Sequence, residues 1–112
     1  MNTTNIFNKP AFGEKVGVKA LFETSFTKEI GIYFETGLSM KEHKTPYPIV
    51  VQLIEGKLDF KVGEEIHSLV AGDLLSLEGG VPHSLLAIER SIVRLTLVKA
   101  DQVMRVEEVV RS

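Results

Sequence analysis

Hydrophobic and polar positions along this chain alternate in short runs with a period of two. Leu58, Phe60 and Val62 alternate with Lys57, Asp59 and Lys61, which predicts a strand with one buried and one wetted face. Val93, Leu95 and Leu97 alternate with Arg94 and Thr96 in the same way. Two further runs, Ile49 to Ile54 and Ile30 to Phe34, have few polar breaks and read as strands covered on both faces. Glycine punctuates the pattern at Glu55-Gly56-Lys57, Val62-Gly63-Glu64 and Ala71-Gly72-Asp73, where tight reversals need a residue at ease with positive φ. Helical spacing is hard to find before residue 100.

Short strands at such intervals predict an all-β fold, a single-domain double-stranded β-helix or jelly-roll barrel. The whole of residues 1–112 reads as one domain, since a chain of 112 residues buries one core and not two. Residues 1–14, with Pro10 and Gly13, read as an irregular N-terminal arm with a short strand near Ile6 and Phe7. In residues 101–112, Val103, Val106 and Val110 stand near helical spacing yet are β-branched, so helix and strand both stay open.

Composition narrows the function classes. With 44% hydrophobic and 25% charged residues the chain is an ordinary globular one. Its net charge of −2, with Lys and Arg scattered singly, gives no field for nucleic acid or an acidic membrane surface. The chain has no cysteine, which excludes disulfides, thiolate metal sites and a cysteine nucleophile. No apolar stretch reaches the roughly 20 residues of a membrane helix, and no signal-peptide pattern opens the sequence. The expectation is a cytoplasmic protein with no nucleic-acid or membrane partner.

Candidate chemistry rests on two blocks. The first runs from Gly37 to Gly56 and holds His43, Thr45 and Ile49; the second runs from Gly72 to Ala87 and holds Glu78, Gly79, Gly80, Pro82 and His83. Together they resemble the two motifs of the cupin superfamily, small RmlC-like jelly rolls, over residues 37–98. The resemblance implies a site where three histidines and a glutamate hold a divalent transition metal (Mn, Fe, Ni, Cu or Zn). His43 and His83 match two ligand positions, while Thr45 stands where the second histidine belongs and Ile49 where the glutamate belongs.

Those replacements lead the reading toward a small organic ligand, with metal weak or absent and no cofactor certain. On the inward parity of His43 and His83, the ligand pocket is expected to be His43, Thr45, Ile49, Val51, His83 and Leu85. The alternative is a metal-dependent enzyme, of dioxygenase or sugar-isomerase type by resemblance, using His43, His83 and a third ligand still to be identified. A barrel kept for assembly is a third reading. His67 is expected outside the site, since no motif spacing ties it to the pair. Single-motif cupins usually pair, so a homodimer is expected, and the uncharged faces of Ile49 to Ile54 suit one. The ligand's identity, the reaction if any and the pathway are not written in the sequence.

Overall fold

A computed structural model describes residues 1–99 of the chain. Residues 101–112, left open between helix and strand above, lie outside the described residues. Among the described residues there are nine strands and no helix: β1 (Gly17–Glu23), β2 (Thr27–Phe34), β3 (Ser39–His43), β4 (Ile49–Glu55), β5 (Lys57–Val62), β6 (Glu65–Val70), β7 (Leu74–Leu77), β8 (His83–Ala87) and β9 (Ser91–Val98). They form two antiparallel sheets, ordered β1-β2-β9-β4-β7 and β3-β8-β5-β6. No helix of the described residues is long and apolar enough to cross a membrane.

The core lies between the sheets and is built by alternation. Ile32 and Phe34 of β2, Ile49, Val51 and Leu53 of β4 and Val93 of β9 meet Leu58 and Phe60 of β5 and Leu85 and Ala87 of β8. Each of these side chains other than Ala87, fully removed from water, contributes about 1.5–3 kcal/mol before entropy is counted. Gly56 turns the chain from β4 into β5 at φ +98°, and a Cβ there would collide with the carbonyl oxygen of Arg90. Only glycine fits that turn.

Two sequence expectations need correction. The run Ile49 to Ile54 is not covered on both faces: Ile49, Val51 and Leu53 are buried, whereas Val50, Gln52 and Ile54 are half-buried on the outer face. That outer face carries a polar network in which Arg94 donates to Glu29 at 3.0 Å and to Gln52 at 3.3 Å. Ile6 and Phe7 form a turn rather than a strand, with Asn5 Oδ1 accepting the Phe7 N–H at 2.9 Å.

The arm, however, gives β2 its second covered face, as the sequence led us to expect for Ile30 to Phe34. Tyr33, fully buried on the outer side, donates its hydroxyl to the Ile6 carbonyl at 2.7 Å and meets the Phe12 ring edge-on at 5.5 Å. The Arg90 guanidinium then lies 3.7 Å over Phe12. Burial raises the Tyr33 phenol above its ordinary range. The unfolded phenol therefore loses its proton first as pH rises, near about 10, and stability present below that pH is lost through the alkaline range. Tyr33→Phe should lower stability near neutral pH by about 0.5–1.5 kcal/mol, flatten the alkaline decline relative to the parent and speed proteolysis of the arm. Urea melts at several pH values check this.

Candidate functional site

The site forms where β3 meets β8. These strands pair Met40 with Leu85 and His43 with His83, so three steps along β3 match two along β8. The irregularity between Met40 and His43 is a β-bulge. In a regular strand, residues three apart face opposite ways; the extra residue cancels that alternation and turns both side chains inward.

The two imidazoles are neighbours, with ring centroids 4.4 Å apart and planes tilted by 59°. His83 is buried and His43 half-buried. Each ring is steered by a carbonyl two residues upstream: Nδ1 of His43 lies 2.7 Å from Lys41 O, and Nδ1 of His83 lies 2.9 Å from Val81 O. A carbonyl can only accept, so Nδ1 carries the proton and in the neutral ring Nε2 holds the lone pair. The Phe60 ring stacks on His83 at 5.4 Å with planes only 9° apart, which restricts rotation of that imidazole.

A cavity of about 40 Å³ opens beside the pair. All six residues expected from parity border it: His43, Thr45, Ile49, Val51, His83 and Leu85. Thr45 lies beyond the end of β3, yet its Oγ1 donates to Tyr47 O at 3.1 Å and its carbonyl accepts from Gly80 N at 2.7 Å. At Gly79 the second loop comes so close to Pro46 that any Cβ would strike the Pro46 carbonyl. The loops preceding β4 and β8 are thereby held together, and with them the two histidine-bearing strands.

Other polar residues go elsewhere. His67 sits exposed on β6, 3.4 Å from Glu65, bordering a separate cleft between β6 and β7. Glu35 pairs with Arg90 at 3.3 Å, and Glu42 and Glu78 are exposed. Among the described residues no group of three or more His, Cys, Asp or Glu side chains converges. Two imidazoles, a hydroxyl and apolar walls do not fit the divalent ion that the motif resemblance implies, because among the described residues no third nitrogen, thiolate or carboxylate donor joins the pair.

Five lining residues were missed: Ile32, Met40, Phe60, Val93 and Leu95. Phe60 was legible from its alternation with Leu58 and Val62, which aims it inward, but nothing in the sequence tied β5 to His83. Met40 carried no usable signal, because counting in twos places it opposite His43; only pairing with β8 exposes the bulge.

No protein-family profile matches the sequence, and no curated protein matches it. Solved structures do. An RmlC-like cupin protein from Desulfovibrio desulfuricans superposes with a TM-score of 0.79 at 19% identity, over 88% of this chain and 96% of that one. An RmlC-like cupin from Shewanella frigidimarina gives 0.72 at 23% identity, over 79% of each chain. A cupin superfamily protein from Desulfitobacterium hafniense gives 0.72 at 17% identity, over 79% of this chain and 81% of that one. At such identities the likeness establishes the fold: this is a cupin-type jelly roll.

Proposed function

We propose that this cupin-fold protein binds a small organic ligand in the cavity between its sheets, with the paired imidazoles as polar anchor and divalent metal weak or absent. The observation that carries the reading is the pair of imidazoles bordering an otherwise apolar space, each tied through Nδ1 to a backbone carbonyl so that Nε2 is left as the acceptor. Such a surface complements a compact, neutral molecule with a hydroxyl or amide N–H to donate. The cavity's about 40 Å³ limits the enclosed part to a few heavy atoms. A larger ligand would have to displace Phe60, which borders both this cavity and the cleft between β6 and β7.

The test is an NMR screen of small neutral alcohols and amides against protein labelled at histidine. Binding should move the ring signals of His43 and His83 together and leave those of His67 in place. Both His43→Gln and His83→Gln should lose the response. A screen in which no compound moves the pair, or a His83→Gln variant that binds as well as the parent, removes the proposal.

A further inference from the structure

The N-terminal arm covers only part of the larger sheet's outer face, where Tyr33 and Lys19 hold it through the carbonyls of Ile6 and Asn8. Beside the arm lies an open groove of about 540 Å³. Ile6 of the arm, Phe22 of β1 and Phe26 of the β1–β2 turn line it together with Glu29, Arg94 and Thr96. We propose that residues 101–112 of the same chain cover this groove, with Val106 on the side that meets it. The inference concerns the face opposite the histidine cavity and does not depend on the ligand proposed there.

Three observations carry it. The first is the chemistry of the groove. Phe26 is 59% exposed and Leu21 and Phe22 are half-buried, so apolar surface stands uncovered. The polar groups among them satisfy one another: Arg94 donates to Glu29 at 3.0 Å, and the Thr96 hydroxyl donates to Glu29 at 2.7 Å. An occupant therefore needs apolar side chains more than charge.

The second is where the described chain leaves the fold. Val98 pairs with Thr27, and the Lys99 N–H donates to the Phe26 carbonyl at 3.0 Å. The Lys99 ammonium lies 3.2 Å from the Glu23 carboxylate. Both contacts fix the start of the following residues at the rim of the groove. Val103, four residues on, reaches at most about 14 Å from Lys99. The row Phe22, Glu29, Thr96 crosses two strand spacings, about 10 Å, so the groove is within that reach.

The third is the sequence of the segment. It holds Val103, Met104, Val106, Val109 and Val110, and neither glycine nor proline. Helical spacing would put Val103, Val106 and Val110 on one side; extended alternation would put Met104, Val106 and Val110 together. Val106 belongs to both sets and Arg105 to neither. Tethering favours this segment over a second copy of the chain, because a segment joined at the rim acts at an effective concentration on the order of millimolar.

The chain has no cysteine, so Arg105→Cys supplies a single attachment point for a nitroxide. In the full-length labelled protein, NMR signals from the amides of Phe22, Glu29 and Thr96 should broaden, while those of Lys61 and Glu65 in the other sheet stay sharp. Mixing nitroxide-bearing chains with isotope-labelled chains that lack the nitroxide should give no broadening. Adding Val106→Asp should restore the lost signals. It should also speed amide exchange along Phe22 to Thr27 at least about tenfold, since one buried apolar side chain is worth that much to a local opening. Val106→Leu should leave both readouts as they are. The labelled parent needs no destabilised variant to fold, so the test stands even if Val106→Asp aggregates. Sharp signals at Phe22, Glu29 and Thr96 in the labelled parent would overturn the inference. So would broadening in the mixture, which would make a second copy the occupant, or broadening that survives in folded Val106→Asp.

Discussion

Replacing Thr45 with His and Ile49 with Glu should give a protein that melts well below its parent without metal and recovers when Ni(II), Mn(II) or Zn(II) is added. Both positions border the cavity with His43 and His83. Ile49 is 3% exposed on the inner face of β4, so a carboxylate there enters the core without a partner. Thr45 is half-buried and would exchange a satisfied hydroxyl for a bulky ring. Each buried polar group left unsatisfied costs about 1–3 kcal/mol. For a domain near this size that is about 4–8 °C of Tm per kcal/mol. Metal binds only the folded state, and at a hundredfold excess over Kd it returns about 2.7 kcal/mol. The parent, with two nitrogen donors, should show little shift with the same divalent salts. Thermal melts of both proteins with and without each metal decide the matter. A parent that gains several degrees from Zn(II) or Ni(II) would contradict the description of its cavity as unsuited to divalent ions.

Phe60→Ala should be the most damaging single truncation at the site, with a loss of about 3–5 kcal/mol. The ring is 1% exposed, belongs to the buried cluster and stacks on His83. It also separates the histidine cavity from the cleft of about 350 Å³ between β6 and β7. Its removal should open one space toward the other, since Phe60 borders both. Phe60→Leu, which fills part of the gap, should lose much less. The urea midpoint measures both. A loss under about 1 kcal/mol in Phe60→Ala would mean that the neighbouring side chains collapse readily into the void.

How far the sequence carried the structure differs from strand to strand. β5 was legible because it alternates cleanly in sequence and in burial, whereas β9 alternates in sequence but is covered on both faces, with Ile92 and Val93 both buried and Arg94 to Leu97 all half-buried. β4 was over-read. Its apolar run implied cover on both sides, but the outer face is only half-covered and Gln52 there serves Arg94. A run of apolar residues does not reveal which strand lies beside it. The arm was misread at Ile6 and Phe7 for a related reason: what holds that segment is the Tyr33 hydroxyl, a partner distant in sequence.

At the site, His43 and His83 declared themselves by motif, and parity extended from them to Val51 and Leu85, which border the same cavity. It failed at Met40, where an unpaired residue resets the count. Parity is a property of a paired ladder, and one strand read alone does not show its ladder.

The order of strands in the larger sheet has a consequence for how the protein comes into being. β9 lies between β2 and β4 and pairs with both along most of its length, yet it is the last strand among the described residues to be synthesised. During translation, β2 and β4 emerge with their inner edges open and must wait for it. Those edges present unpaired N–H and C=O groups, ready to pair with any extended chain nearby. The arm and β1 can already lie against β2, so its outer side is shielded early while the side facing β9 is not. Nascent chains that stall before Ser91 would carry every residue of the histidine pair but lack the middle of the sheet behind it. Among the described strands, the centre of the larger sheet is finished last.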